Sequence, residues 1–286
     1  LGSRQQIAGR LKKLGWKPTK FTDKGSIIVD EEVLKHIEDI PEAVLIKEYM
    51  LVNKRVAQLN GPKKNNGTGG GWLTHVTDKL RVHGNVNSCG AVTGRMTHSS
   101  PNMAQVPAVY NPYGKECRDL FTVPKGYKLV GCDASGLELR MLAHYMNDKD
   151  YTETILNGDI HTANQEAAGL PTRDMAKTFI YAFLYGGGDA RIGSIVGKGS
   201  KEGAGLKAKF LDNTPALKTL REKVLTAANR GFLKGLDGRK LWVRSPHAAL
   251  NVLLQGGGAI VMKKALILVY QYAKEEGLDF KMVLNV

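Results

Sequence analysis

Cysteine is scarce in this chain of 286 residues: Cys89, Cys117 and Cys132 are all there is. They form no CxxC pair and are odd in number. That pattern argues against a disulfide framework or a zinc site and fits a reducing compartment, so a cytoplasmic location is expected. Long uncharged apolar runs are also missing, and none is expected to span a membrane. No signal-peptide pattern follows Leu1, and a first residue other than Met suggests a start that is itself a cut. The sequence has no internal repeat and no disordered tail. Acidic residues are few: 27 stand against 41 Lys and Arg, a net charge of +14. Such an excess favours a polyanionic partner, nucleic acid first, although an ordinary basic soluble protein has the same sum.

What is present is enough apolar residue, 42% of the chain, for a sizeable core and one or two domains. Residues 4–14 place Ile7, Leu11 and Leu14 on one helical face. Pro41 opens a helix to about Asn60, since a proline at the first position loses only an N–H that would be unpaired anyway. GPKKNNGTGGGW, 61–72, reads as a flexible loop, either a solvated linker or a phosphate-proximal one. Residues 122–146 read as turn, strand, helix, and 172–185 as a helix stopped by Gly186-Gly187-Gly188. Two further helices bracket Asn213-Thr214-Pro215, and 235–243 resembles a hairpin. A helix from about 247 ends at Gly277, with a glycine trio at 256–258 marking close packing or a bend. FKMVLNV, 280–286, reads as a buried strand. The mixture, with a helical block at 146–234, points to an α+β protein carrying a helical insertion.

Three stretches carry chemistry. Asp133 ends the expected strand Lys128–Cys132, where a carboxylate beside a backbone carbonyl suits a hard cation such as Mg²⁺. Taken alone, Asp133 reads first as a helix cap. Glu138 lies one residue off the apolar face of the helix that follows. In the second stretch Arg173, Lys177 and Tyr181 recur at i, i+4, i+8 and share one face, while Ala176, Phe179 and Phe183 gather on another. Arg173 falls in the first turn, where its charge opposes the helix dipole, an arrangement easier to understand if an anion binds. Arg and Lys one turn apart can grip two phosphates, and an aromatic one turn on can stack. The third stretch, GDIHT at 158–162, is a turn before a helix with His161 available to a phosphate. Two polar clusters suit sequence-tolerant contacts to a duplex: Arg95 with Asn102 and Gln105, and His247, Asn251 and Gln255 at i, i+4, i+8.

Together these motifs resemble the family-A DNA polymerases, the bacterial polymerase I family, with the nearest likeness to the replicative enzymes of short-tailed lytic phages. DASGLELR (133–140) resembles the first palm motif and RDMAKTFIYAFLYG (173–186) the fingers helix. TGRMTHSSPNMAQVP (93–107), GDIHT (158–162) and SPHAALNVLLQ (245–255) match further blocks in order, and five in order are highly specific. The resemblance implies a right-hand architecture with a partial palm sheet, a helical fingers insertion and a remnant of the thumb. Residues 1–72 would be the end of the thumb and its junction with the palm, 73–145 the first part of the palm, 146–246 the fingers, and 247–286 the second part of the palm.

The resemblance also implies roles. Asp133 and the Ala134 carbonyl would hold two Mg²⁺ ions. Glu138 would exclude a ribose 2′-OH and hydrogen-bond Tyr185. Arg173, Lys177 and His161 would bind the dNTP triphosphate, with Lys177 protonating the leaving pyrophosphate. Tyr181 would contact the sugar and Tyr185 would close the pocket. Arg95 and Gln255 would check the minor groove of primer–template DNA, with Asn102, Gln105, His247 and Asn251 along the duplex. His247 stands where bacterial relatives carry Arg. A tyrosine at 181 goes with ready acceptance of dideoxynucleotides. In the family a strand like KMVLNV runs into His-Asp-Glu, whose Asp is the second metal carboxylate. The expectation is therefore a fragment with little turnover alone, or one subunit of a split polymerase whose partner supplies that motif. A DNA-binding remnant is the non-enzymatic alternative, and a phage RNA polymerase is disfavoured by Glu138 and Tyr185. The sequence names no processivity factor.

Overall fold

Helix capping explains where most elements begin. In the computed structural model, which describes residues 2–22, 24–61 and 70–285, the chain forms two units. One comprises Leu1–Asn85 and His98–Thr122, the other Val86–Thr97 and Val123–Val286.

In the first unit, α1 (Arg4–Lys13) is capped by Ser3, which accepts from the Gln6 amide at 3.3 Å. Asp30 caps the short α2 (Glu31–Leu34) through the Val33 amide at 2.8 Å. Pro41 opens α3 (Pro41–Asn60), which ends at Gly61 with φ +79°. Ile7, Leu11, Val29, Leu34, Ile40 and Ala43 form the core of this unit. The helix α4 (Gly114–Asp119) follows later in the chain, and Arg55 on α3 reaches the Pro112 carbonyl at 3.2 Å. Residues 62–69 of the glycine-rich loop lie outside the described residues. Two short strands, β1 (Asn85–Asn87) and β2 (Thr97–Ser99), fall where the chain passes from one unit to the other and back.

The second unit runs through α5 (Leu137–Met146), α6 (Lys149–Asn157), α7 (Ile160–Ala168), α8 (Arg173–Leu184), α9 (Asp189–Ser194), α10 (Ser200–Asp212) and α11 (Pro215–Ala228). The hairpin of β3 (Phe232–Lys234) and β4 (Lys240–Trp242) then leads to α12 (Ala249–Glu275). Phe179 and Phe183 of α8 meet the edge of Phe210 of α10 at 5.2 and 5.4 Å between ring centres. Fully burying such a side chain contributes about 1.5–3 kcal/mol, so this aromatic knot fixes α8 against the helical block. The hairpin turns Leu233 and Leu241 inward as cross-strand partners, both buried.

The glycine trio of α12 marks close packing. A Cβ at Gly256 would lie 2.6 Å from the Leu241 methyl, and one at Gly257 2.5 Å from the Met141 methyl. One at Gly258 would stand 3.1 Å from Leu137. Hence α5 and β4 seat directly on the backbone of α12. By length and composition alone the helix spanning Pro246–Glu275 is apolar enough to cross a membrane, which corrects the expectation that no such run exists. The hydropathy has a local cause: residues 249–258 are mostly core, and Lys263 is tied to the Ser88 carbonyl at 2.6 Å.

Two expected strands are not formed. Residues 128–132 and 280–285 have no ladder partner among the described residues, and their side chains are mostly exposed, with Val130 at 86%. Their β-branched content fits a pleated, half-buried surface, but a strand exists only where a neighbour pairs its amides. The residues just before the two segments are linked by a side-chain bond from Tyr127 to Asp279.

Candidate active site

The turn after Asp133 shapes one wall of the site. Gly136 adopts φ +61° ahead of α5, and the Arg140 Nε braces the turn by donating to the Ser135 carbonyl at 2.9 Å. Glu138 then falls in the first turn of α5, where the helix dipole favours a carboxylate. The Tyr185 hydroxyl, just past the end of α8, donates to Glu138 Oε1 at 3.3 Å. Burial and the Glu138 carboxylate both push the Tyr185 phenol above its usual range, so it stays a donor. Gly186 takes φ +75°, and a Cβ there would sit 2.3 Å from the His247 carbonyl oxygen. A cleft of about 290 Å³ lies between these elements, lined among others by Arg95, Asp133, Glu138, Tyr181, Gln255 and Lys263.

The start of α8 carries the cationic part. Thr172 caps it, accepting from the Met175 amide at 3.2 Å. Arg173, Lys177 and Tyr181 lie one turn apart, opposite buried Ala176, Phe179 and Phe183. Arg173 forks onto Asp159, with Nε to Oδ2 at 2.6 Å and Nη2 to Oδ1 at 3.1 Å. Asp159 also caps α7. His161, in the first turn of α7, has its ring centre 6.4 Å from that of Tyr181, and Tyr181 stands 6.3 Å from Tyr185. Burial first, then the Arg173 and Lys177 charges, lower the His161 pKa, so its imidazole is biased toward the neutral form. A neutral imidazole still donates one N–H to a phosphate oxygen.

The structure therefore gathers Arg95, Asp133, Ala134, Glu138, Tyr181 and Gln255 around one cleft, with Tyr185 bonded at its rim and Arg173, Lys177 and His161 on the neighbouring turns of α7 and α8. His247 is exposed in the short turn before α12. Asn251 lies one turn along α12, its Oδ1 buried without a partner among the described residues. Asn102 and Gln105 belong to the first unit. There Asn102 accepts from the Ala104 amide at 3.1 Å, and Gln105 is exposed. Three residues were not singled out from the sequence. Asp159 signalled itself only as part of a turn before a helix. Lys263 and Asn285, which also line the cleft, carry no local signal because distant chain segments bring them there.

Among the described residues no cluster of three or more His, Cys, Asp or Glu could hold a metal by itself. Two carboxylates line the cleft: Glu138 is engaged by the Tyr185 hydroxyl, and Asp133 stands beside the Ala134 backbone. That donor set fits a hard cation such as Mg²⁺, which binds through one or two carboxylates and takes its remaining ligands from phosphates and water.

Comparison with known proteins gives a consistent result. The sequence model of DNA polymerase family A matches residues 1–286. The DNA-directed DNA polymerases of Enterobacteria phage T3 and Escherichia phage T7 are each 48% identical to the chain over 308 aligned residues, 96% of this chain and 43% of theirs. DNA polymerase I of Pseudomonas aeruginosa is 28% identical across 100% of this chain and 33% of its own. The chain thus spans less than half the length of these relatives. Among solved structures, the POL domain of Pol1 from M. smegmatis, in complex with DNA primer-template and dNTP, superposes with a TM-score of 0.80. It is 23% identical, over 100% of this chain and 53% of that one.

Proposed function

The chain belongs to DNA polymerase family A, and from that premise we propose that it forms the nucleotide pocket of a DNA-directed DNA polymerase, which adds dNTPs to a primer 3′-OH on a template strand. The observation that carries this reading is the Glu138–Tyr185 bond at the rim of the cleft that also holds Asp133. A carboxylate fixed by a tyrosine at such a wall leaves room for a deoxyribose and opposes an added hydroxyl.

The remaining roles follow from position. Arg173 and Lys177 are two cations one turn apart, suited to the oxygens of a triphosphate, and His161 adds a neutral N–H. Lys177 holds a proton at Nζ for the leaving pyrophosphate. Tyr181, lining the cleft, contacts the sugar, and Tyr185 closes the pocket. Arg95 and Gln255 face the same cleft and would read minor-groove acceptors, with His247 and Asn251 continuing along α12; Asn102 and Gln105, within the first unit, are separately suited to duplex contacts. Asp133 and the Ala134 carbonyl would hold Mg²⁺, which when bound supplies charge neutralisation for phosphoryl transfer. Because this donor set has a single carboxylate, we assign full turnover to the chain only when a second carboxylate joins it from a further segment. Residues 73–145 and 247–286 would form the palm, 146–246 the fingers, and 1–72 the end of the thumb. With phage relatives as the guide, the reaction would run in the host cytoplasm.

The test is equilibrium binding of a dNTP and the matching rNTP to the chain on a primer–template, followed by extension with the chain joined to the remainder of a family-A polymerase. Preferential binding and use of the dNTP is expected. Equal use of both nucleotides would overturn the reading.

A further inference from the structure

Asp159 is more heavily engaged than a helix cap requires. Its carboxylate accepts from the His161 amide at 3.0 Å and the Thr162 amide at 3.4 Å. It also takes the Thr162 hydroxyl at 3.0 Å and both arms of the Arg173 fork at 2.6 and 3.1 Å. One side chain thereby ties the first turn of α7, which carries His161, to the first residue of α8.

Arg173 sits where the dipole of α8 disfavours a cation. Some anion has to offset that placement, and Asp159 does so. The Asp159 carboxyl is held well below the usual carboxylate range, with Arg173 the main cause. A guanidinium fork grips a carboxylate and a phosphate with the same paired N–H geometry. The seat Asp159 occupies on Arg173 is therefore the seat a phosphate group would take. Both side chains remain about half exposed, so an incoming anion can reach the fork.

We propose that Asp159 is a positioning residue and an anion placeholder: it aims the Arg173 guanidinium for a phosphate group and competes with that group until it arrives. This rests on the nucleotide-pocket reading above and adds to it a built-in competitor, which weakens polyphosphate binding in return for a pre-oriented fork.

The experiment measures equilibrium binding of inorganic tripolyphosphate to the whole chain for the wild type, Asp159→Asn, Arg173→Ala and the double variant, at low and high salt. Asparagine caps a helix as well as aspartate does, so a purely capping role predicts no change in Asp159→Asn. The placeholder predicts binding about two- to five-fold tighter in Asp159→Asn, the range an exposed ion pair spans, shrinking at high salt. That gain should vanish in the Arg173→Ala background. If Arg173→Ala weakens binding but Asp159→Asn leaves it unchanged or weaker, the placeholder is wrong and the pocket stands. If Arg173→Ala itself has no effect, the pocket reading falls and the placeholder with it. Circular dichroism on the same proteins checks that the cap survives.

Discussion

The Tyr185 hydroxyl lies 3.3 Å from Glu138 Oε1, joining the end of α8 to the first turn of α5. The bond makes the width of the cleft depend on two helices at once. Removing either partner should loosen sugar selection, but not equally. Glu138→Ala takes away both the carboxylate and its bulk, and ribonucleotide use relative to deoxynucleotide should rise about ten-fold or more, roughly 1.4 kcal/mol of discrimination. Tyr185→Phe removes only the hydrogen bond, worth about 1 kcal/mol, and should raise it less. Competitive primer extension gives both ratios; a larger effect from Tyr185→Phe would show that the phenol hydroxyl, rather than the carboxylate, sets the width.

Tyr181 lines the same cleft and has neighbours at 6.4 and 6.3 Å in His161 and Tyr185. By the family resemblance its hydroxyl allows dideoxynucleotides to be accepted readily. Tyr181→Phe should make the enzyme discriminate against them, visible as fewer chain-termination products at a fixed ratio of the two nucleotides. Unchanged termination in the variant would remove the phenol from any role in sugar choice.

Glycines along α10 should respond to substitution with opposite signs. A Cβ at Gly203 would stand 1.9 Å from the Asp189 carbonyl and 2.7 Å from the Gly193 nitrogen, both backbone atoms that cannot swing aside. Gly203→Ala should destabilise by about 1–3 kcal/mol. Two residues on, nothing lies within 4 Å of a Cβ at Gly205, and Gly205→Ala should stabilise by up to about 1 kcal/mol through helix propensity. Urea unfolding of the two variants decides this, and two shifts of the same sign would contradict the packing described for α9 and α10.

Tyr151 is partly buried with its hydroxyl enclosed, and that burial pushes its phenol up to about 12. An unfolded tyrosine ionises near 10. Below pH 10 both states keep the proton and this group gives no pH dependence. Between pH 10 and 12 the unfolded chain loses the proton first, so stability should fall, by on the order of 2 kcal/mol at the upper end. Tyr151→Phe should flatten that part of a stability–pH curve measured by denaturant titration.

The helices were legible because each has local causes. Pro41, Thr172 and the i, i+4, i+8 pattern of α8 act within a turn or two, and the boundaries at Pro41–Asn60 and Arg173–Leu184 follow from them. The two strands expected at 128–132 and 280–286 were not formed over the described residues, because pairing depends on a neighbour that the segment's own residues do not specify. The site divides in the same way. Asp133, Glu138 and the face of α8 announce themselves by type and spacing. Lys263 enters the cleft only because α12 packs its glycines against α5. The stretch around Asp159 was visible only as a turn before a helix, and its fork onto Arg173 joins residues fourteen positions apart across an intervening helix and leaves no mark in either motif.

The contact between Gly186 and the His247 carbonyl has a mechanical meaning. With only a hydrogen at 186, the chain leaving α8 and the turn entering α12 share one junction, with no side chain between them to act as a cushion. A tilt of α8 must carry the His247 turn with it. Strain felt along Asn251 and Gln255 must likewise return to Tyr185. The pocket and the face of α12 that carries Asn251 and Gln255 are thus two ends of a single lever.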